Sequence, residues 1–326
     1  MSKRIFIHAA CAAALACALA APAAAEDAYP AKPIRIIVPF PPAGGTDVLS
    51  RSIAQAMTND TKWVFVVENK PGAGGNIGLD AAAHSPPDGY TLAMGQTANL
   101  AVNPALYSSM TFDPLKDFAP IALLSSQPLI LVVDAKSPFQ SLKDFVEAAK
   151  KNPGKFNMAS AGNGTIGHVG GELFQRRAGI KLTHVPYKGA GPAVTDLMGG
   201  AVDCFFGNSQ SVGGLVASGR LRPLAVTAAQ RLAILPKVPT VSESGYAGFE
   251  AATWSGLVAP AGTPKAIVDK VNAAAVKALA STDMKKRLAE EGSTPMGGTP
   301  AQFAEFLKKE HAKWGAAVRD ANIKLD

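Results

Sequence analysis

Short runs of β-branched and apolar residues alternate along the chain with segments whose apolar residues recur at helical spacing. The first part of the chain holds three such pairs: "IRIIVPF" then "VLSRSIAQAM", "WVFVVEN" then "LDAAAH", and "YTLAMG" then "QTANLAVNPAL". Strands that alternate with helices predict a mainly parallel sheet that is covered on both faces. The pattern therefore predicts an α/β domain.

A second series of the same kind opens with a long apolar segment. Phe118 to Val133 reads "FAPIALLSSQPLILVV", which predicts a long strand or a strand pair with a break at Pro128. The strands expected after it are "KFNMASA", "KLTHVPY", "VDCFFGN" and "LRPLAVT", and the helices are "KDFVEAAKKN", "HVGGELFQRRAG", "PAVTDLMGG" and "SVGGLVASG". This series has the parts of a complete domain inserted into the first.

The chain ends in two amphipathic helical patterns that follow a connection rich in proline and glycine. They begin at Pro264 and Pro300, and a proline in the first turn is a common start signal for a helix. We expect these helices to return and cover the first domain. The predicted division is a signal segment at 1–25, one lobe from 26–123 and 250–326, and a second lobe from 124–249, joined by two crossings.

The first residues have the features of a secretory signal peptide. Lys3 and Arg4 precede the apolar run "IFIHAACAAALACALA", and Ala23 to Ala25 provide a small-residue cleavage site. No later stretch reaches the roughly 18 uninterrupted apolar residues that a membrane span needs. We therefore expect an exported, periplasmic protein. A lipoprotein is the alternative, although neither Cys11 nor Cys17 has the usual leucine three residues before it.

Export changes what the cysteines and the charge can do. Cys204 would be left alone, so no intramolecular disulfide or cysteine-based metal cage is expected. Loss of the segment 1–25 would lower the formal net charge from +7 to +5, because it contains Lys3 and Arg4 and no acidic residue. A mildly basic protein can favour anionic ligands through its field, or the charge can serve solubility alone. No nucleic-acid partner is expected.

One glycine-rich stretch matches the pattern of a dinucleotide-binding loop. Gly162 to Gly167 reads "GNGTIG" and lies between a predicted strand and a predicted helix. The acidic residue that should follow about 20 positions later is absent, since that region reads "IKLTHVPYK". The loop geometry still suits a compact anion, because glycines let backbone N–H groups converge at a helix start.

Two further glycine-rich turns have the same form. They span Pro41 to Asp47 and Gly72 to Gly78, and short neutral donors lie near them and near the ends of other strands. If turns of both lobes face one cleft, they could hold a carboxylate between them. The alternative is that the glycines only shape tight strand-to-helix connections.

Metal binding and catalysis have little support in the sequence. His168 and His184 each lie beside a turn, but no third ligand follows at a recognisable spacing, so no metal and no cofactor are expected. Nucleophile-elbow, zincin and P-loop motifs are absent from the sequence. An exported α/β enzyme nevertheless stays open as an alternative.

A series of motifs resembles one protein family over nearly the whole expected mature chain. It includes "YPAKPIRIIVPFPPAGGTDVLSR", "VVENKPGAGGNIG", "SPPDGYTLAMG", "FDPLKDFAPIALL", "HVPYKGAGPAVTDLMGG", "GRLRPLAVT" and "WSGLVAPAGTP", in that order. The chain is similar to the Bug family, the periplasmic substrate-binding receptors of tripartite tricarboxylate transporters.

The resemblance implies a two-lobed periplasmic-binding-protein fold, a Venus flytrap of type II-like form, that closes on a small carboxylate. It also implies that two facing loops, Phe40 to Asp47 and Ser160 to His168, hold the ligand with neighbours from other turns. The expected ligand-binding residues are Phe40, Pro41, Gly44, Gly45, Thr46, Asp47, Thr97, Ser160, Ala161, Gly162, Gly164, Thr165, His168, Tyr187, Lys188, Gly189 and Asn208.

Two positions depart from the family pattern. Ala43 stands where the family often has glycine, and Gly207 stands where many members have an acid. The implied partners are membrane permease subunits, and the receptor is expected to be a monomer. A sensor that signals to a membrane kinase is the further alternative.

Overall fold

The computed structural model describes residues 29–42, 44–320 and 323. The expected signal peptide at 1–25 and the departure at Ala43 both lie outside these residues. None of the helices within the described part is long and apolar enough to cross a membrane.

The strands of the described residues alternate with helices along most of the chain. The strands are β1 (Ile34–Val38), β2 (Phe65–Asn69), β3 (Thr91–Gln96), β4 (Phe118–Asp134), β5 (Asn157–Ser160), β6 (Thr183–Pro186), β7 (Cys204–Asn208), β8 (Leu221–Val226), β9 (Ala252–Pro260) and β10 (Thr294–Gly297).

The helices lie between these strands and at the end of the chain. They are α1 (Gly45–Thr61), α2 (Asn76–Ala83), α3 (Asn103–Leu106), α4 (Leu142–Lys151), α5 (Ile166–Ala178), α6 (Ala190–Met198), α7 (Ser209–Ala217), α8 (Lys265–Ala280), α9 (Thr282–Glu290) and α10 (Pro300–Asp320). The pattern "QTANLAVNPAL" forms a π-helical turn (Ala98–Val102) before α3, not one continuous helix.

Strand β4 links the two halves of the sheet. Its residues up to Pro128 pair with β9, and its residues from Leu129 pair with β7. The first half has the order β2-β1-β3-β9-β4, and the second has the order β4-β7-β5-β6. The change of partners falls at Pro128, the proline that interrupts the apolar segment in the sequence.

Strand pairing is mixed, so the expectation of a mainly parallel sheet in each lobe is wrong in this detail. Parallel pairs join β1 to β2 and β3, and β5 to β6 and β7, whereas β4 and β9 pair with their neighbours antiparallel. The cause is the topology: β4 carries the chain out of the first lobe and β9 carries it back, so the two strands run in opposite directions. The α/β fold itself is confirmed.

Each half of the sheet has helices on both faces. One cluster of buried residues packs β1 and β3 against α1, α8 and α9, and another packs β7 and β8 against α6 and α7. A third cluster continues from one half to the other through β4. The two C-terminal helical patterns form α8 and α10. Helix α8 packs on β1 and β3, and α10 contacts β9 through Glu310 and Trp254. The predicted lobe limits at 124 and 250 stay a prediction.

Three elements were not predicted from the sequence. Strand β9 lies in "ATWSGLVAP", where flanking glycine and proline indicate a connection, while α9 and β10 are short segments after the first C-terminal helix. All three pack onto β4 or its neighbours. These elements are stabilised by packing against residues that are distant in sequence, which the local pattern of apolar and polar residues cannot predict.

A buried carboxylate ties the last helix to the returning strand. Glu310 of α10 accepts hydrogen bonds from the indole N–H groups of Trp254 on β9 (2.8 Å) and Trp314 (2.7 Å). Lys313 Nζ lies 3.2 Å from its other oxygen. Both tryptophans are buried, so removal of the carboxylate would leave two N–H groups without an acceptor.

We predict that Glu310→Ala lowers the free energy of unfolding by about 2–4 kcal/mol, because two buried donors lose their partner. Glu310→Gln keeps one acceptor oxygen and should cost less. Glu305→Ala, an exposed position on the same helix, is the matched control. Denaturant unfolding measures all three, and equal effects of Glu310→Ala and Glu305→Ala would contradict the role of this contact.

Candidate functional site

Two adjoining cavities lie where the two halves of the molecule meet. The first chamber has a volume of about 360 Å³ and the second about 210 Å³. The residues that line both chambers are Phe40, Gln96, Ala161, Asn208 and Thr253. The first chamber is further lined by Pro41, Pro42, Gly44, Gly45, Thr46, Leu49, Ser125, Gln127, Gly189, Gln210, Ser255, Leu288, Glu291 and Ser293. Its volume falls in the range of roughly 300–1,000 Å³ that is usual for small-ligand pockets.

Two helices begin at the first chamber without a side-chain cap. The residue before α1 is Gly44 and the residue before α6 is Gly189, and neither has a side chain that can accept from the first helical N–H groups. The first N–H groups of a helix have no acceptor within the helix. These donors, together with the positive ends of both helix dipoles, are available to an anion in the chamber.

Two other helices that begin at the cleft have caps of their own. Thr165 accepts from His168 N at the start of α5, and Asn208 accepts from Ser211 N (3.0 Å) at the start of α7. The lobes thus contribute helix starts of two kinds. The capped pair shapes the cavity walls, whereas the uncapped pair has no side-chain cap on its first N–H groups.

The charge around the cavities is unusual for an anion site. Among the described lining residues neither chamber has a lysine, arginine or histidine, and Glu291 is the one charged side chain. Lys188 is exposed and does not line either cavity. An anion here would therefore be stabilised by backbone N–H groups and neutral side chains.

In the first loop, the predicted residues separate into a lining group and a supporting group. Phe40, Pro41, Gly44, Gly45 and Thr46 line the first chamber, and Thr46 Oγ1 accepts from Gln96 Nε2 at 2.7 Å.

Asp47 belongs to the supporting group. It is buried and turns away from the cavity toward Arg51 (3.0 Å) and Asn69 Nδ2 (2.9 Å). Asn69 also donates to the carbonyl of Phe40 (3.0 Å). Asp47 therefore holds the loop in place from behind.

In the second loop, Ala161, Gly164 and Thr165 line the cavities, and the remaining predicted residues brace them. Ala161 lines both chambers, whereas Gly164 and Thr165 line the second. Gly162 does not line either chamber; its φ of +142° explains the glycine.

The braces are two stacked imidazole rings. His168 and His184 lie with ring centroids 3.8 Å apart and planes within 5°. His168 Nδ1 accepts from Gly164 N (3.1 Å), and His184 Nε2 lies 2.7 Å from Ser160 Oγ. Burial, and for His168 also the neighbouring ring, lowers the pKa of each imidazole to about 4, so both are neutral at pH 7.

The remaining predicted residues fall into two groups. Gly189 and Asn208 line the first chamber. Thr97 is fully buried and accepts from Trp254 N at 2.7 Å, and Tyr187 donates its hydroxyl to Asp196 at 2.7 Å, so both serve the framework. The ligand contacts of the whole predicted set stay a prediction.

Close packing explains two further glycines. A Cβ at Gly167 would lie 2.7 Å from the carbonyl oxygen of Phe206, so this glycine lets α5 approach β7. A Cβ at Gly207 would lie 2.5 Å from the Phe205 ring, which leaves no space for the acid that relatives are expected to carry there. The pattern that resembles a dinucleotide loop thus marks close helix-to-strand packing.

The turn at Gly72 to Gly78 has glycines that shape a tight connection, and it also contributes to the wall of a cavity. Gly72, Gly74 and Gly75 have positive φ, which the turn requires. Gly74 also lines the second chamber, together with Tyr107.

Polar contacts join the two lobes at one end of the first chamber. Ser209 donates to the backbone carbonyl of Glu291, and Gln210 Nε2 donates to Glu291 Oε2 at 3.0 Å. Gln127 of β4 also donates to the Glu291 carbonyl (3.2 Å). The loop after α9 and the start of α7 are therefore held together across the cleft.

Several lining residues were missed in the sequence. Ser125 and Gln127 are the polar interruption "SSQ" in the apolar strand β4, a signal that could have been used. Thr253, Ser255 and Glu291 lie on or beside elements that were not predicted. Within the described residues, no group of three metal-ligating side chains comes together.

Comparison with known proteins gives a consistent result. The sequence profile of the family described as "Tripartite tricarboxylate transporter family receptor" matches residues 49–323. BugT of Bordetella pertussis is 40% identical over 308 residues, which cover 94% of this chain and 94% of BugT.

Three solved structures are similar over their full length. The periplasmic binding protein BugD is 34% identical with a TM-score of 0.80, covering 91% of this chain and 100% of BugD. Rpa4515 of Rhodopseudomonas palustris, solved with adipate, is 34% identical with a TM-score of 0.83, covering 91% and 100%. MatC of the same organism, solved with malate, is 32% identical with a TM-score of 0.79, covering 89% and 100%. The periplasmic-binding-protein fold is confirmed.

We predict that stability falls as the pH drops from about 6.5 toward 4. The pKa of each stacked histidine is lowered to about 4 in the fold, so in this interval the unfolded chain binds protons first. His184→Gln removes one of the two groups and should reduce the shift in the denaturation midpoint between pH 7 and pH 4.5.

The control is His84→Gln, which changes an exposed histidine that lies beside Asp80 (Nδ1 to Oδ1, 3.4 Å) and is not part of the stacked pair. Its midpoint should shift with pH as in the wild type. A His184→Gln protein whose midpoint shifts as much as that of the wild type would contradict the contribution of the stacked pair.

Proposed function

The chain belongs to the family of tripartite tricarboxylate transporter receptors, and from that premise we propose that it captures a small carboxylate in the cleft between its lobes. The observation that carries the proposal is the pair of uncapped helix starts at the cavities. Helix α1 follows Gly44 at the first chamber, and α6 follows Gly189, which lines the first chamber, with its first residue Ala190 lining the second. A carboxylate supplies acceptors for the N–H groups of the first residues of each helix, whereas Gly189 N already donates to the carbonyl of Ala161 at 3.0 Å. Adipate and malate in two of the similar structures support this ligand class.

The two helix starts belong to different lobes, and this gives the ligand a role in closure. Helix α1 begins at the first predicted lobe, and α6 and Ala161 lie in the second. A carboxylate that accepts from both sides binds the closed arrangement better than an open one. This difference in affinity is what drives closure.

The expected strength follows from the number of donors. A hydrogen bond to a charged group contributes roughly 1.5–3 kcal/mol. A few such bonds from α1, α6, Thr46 or Asn208 offset the cost of association and leave a micromolar affinity, about −8 kcal/mol. No paired arginine is required for this affinity.

The setting of the receptor is part of the proposal. The expected signal peptide and the family support a periplasmic location, and membrane permease subunits would receive the ligand from a monomeric receptor. A non-enzymatic role agrees with the use of the histidines, because His168 and His184 brace a loop and do not line the cavities.

We predict that the protein binds a carboxylate after unfolding and refolding, which removes any ligand carried through purification. Isothermal titration with mono-, di- and tricarboxylates measures the affinity. At a ligand concentration of 100 Kd the stability should rise by about 2.7 kcal/mol. If no carboxylate produces heat or raises the unfolding temperature, the proposed function is wrong.

A second prediction concerns closure. A Cβ added at Gly45 would lie 2.2 Å from Gln210 Oε1, so Gly45→Ala must displace this side chain and its bond to Glu291, a contact that joins the two predicted lobes. We expect weaker carboxylate binding by about 1 kcal/mol, with no loss of fold stability because alanine suits a helix.

Two variants make this result specific. Gly214→Ala places a methyl group on α7 where no atom lies within 4 Å, and its affinity should not change. In a Gln210→Ala background the effect of Gly45→Ala should largely disappear, since the clash is gone. An equal loss of affinity with and without Gln210 would contradict this explanation.

A further inference from the structure

Among the described residues that line the first chamber, one is charged, and it is the anion Glu291. Glu291 lies in the turn between α9 and β10, and its side chain is 20% exposed. No lysine, arginine or histidine is among the described residues that line the chamber. The second carboxylate of a dicarboxylate ligand would therefore be repelled by Glu291, with no cation among the described lining residues to offset the repulsion.

The Glu291 carboxylate lies close to the uncapped start of α1. The carboxamide of Gln210 separates them: its Nε2 donates to Glu291 Oε2 at 3.0 Å, and its Oε1 lies against Gly45. One amide group therefore separates a negative carboxylate from the N–H groups proposed to hold the ligand carboxylate. The chamber is positive at one end and negative at the other over the length of a short molecule.

Within the described part of the chain, the cationic partner of Glu291 is Arg287, which lies toward the outside. Arg287 Nε is 3.4 Å from Glu291 Oε1, and the arginine side chain is 50% exposed. Arg287 lines a separate surface groove with Gln55 and Asp283 and does not line the first chamber. The Arg287 guanidinium therefore reduces the negative potential of Glu291, but Glu291 is still the charged residue that lines the chamber.

We infer that the ligand of this receptor is a short zwitterion, a carboxylate with a cationic nitrogen a few carbons away, in preference to a di- or tricarboxylate. The carboxylate accepts from the starts of α1 and α6, and the ammonium group lies toward Glu291. Gln127 and Ser293 are neutral lining residues that can bind further polar atoms of such a molecule. This inference rests on the proposed function and narrows its ligand class.

The test uses two sets of probes. Within each set the carbon chain has the same length, and the molecules differ in the group at the far end: methyl, ammonium or carboxylate. These are butanoate, 4-aminobutanoate and butanedioate, and the five-carbon set pentanoate, 5-aminopentanoate and pentanedioate. Refolded wild-type protein is titrated calorimetrically with each probe at neutral pH and low salt. The amino acid of at least one set should bind tenfold tighter than its matching dicarboxylate.

Variants that change single charges then test whether Glu291 causes the preference for the amino acid. Glu291→Gln keeps an oxygen that can accept from Gln210 and leaves the hydrogen bonds to the backbone carbonyl of residue 291 intact, so the contact between the turn after α9 and the start of α7 persists. It should reduce the preference for the amino acid about tenfold, which corresponds to about 1.4 kcal/mol. Arg287→Gln should act in the opposite direction and increase the preference, because the carboxylate loses its outer partner.

Glu290→Gln is the matched control, since Glu290 carries the same charge one residue earlier, pairs with Lys286 and does not line the chamber. It should keep the wild-type preference. A dicarboxylate that binds wild-type protein as tightly as the amino acid overturns the inference, and so do equal effects of Glu290→Gln and Glu291→Gln. Absence of binding by every carboxylate counts against the proposed function itself.

Discussion

The binding cleft depends on one constraint: negative charge must be held at a site whose described lining contains no cation. Backbone N–H groups can meet this need only where a helix begins and no side chain occupies its first donors. Gly44 before α1 and Gly189 before α6 satisfy that condition. Asp47 and Asn69 fix the loop before α1. The stacked histidines fix the neighbouring loop 160–168, whose Ala161 carbonyl accepts from Gly189 N just before α6.

The topology of the sheet places the two helix starts in separate lobes. Strand β4 leaves the first half and β9 returns, and their antiparallel pairing forms the connection at the back of the cleft. Polar residues of these same strands, Ser125, Gln127 and Ser255, line the cavity. The connection between the lobes therefore also forms part of the site, and contacts such as Gln210 with Glu291 join the lobes at its edge.

Much of the fold could be predicted from local pattern, because the strands and helices of both series have clear apolar periodicity and turn residues. Strand β9, α9 and β10 could not, since they depend on pairing with β4 or on distant packing. Resemblance to a family indicated both loops of the cleft. It could not separate lining residues such as Thr46 from supporting ones such as Asp47, because side-chain direction depends on the tertiary fold. Glu291 was missed for the same reason.

The central claim is that backbone donors of two opposed helix starts hold a ligand carboxylate. A crystal structure of the refolded protein with a bound carboxylate tests this most directly. The account predicts carboxylate oxygens within about 2.7–3.2 Å of N–H groups in the first turns of both α1 and α6. The account would be contradicted if Lys188 or another cationic side chain held the carboxylate and these N–H groups made no hydrogen bond to it.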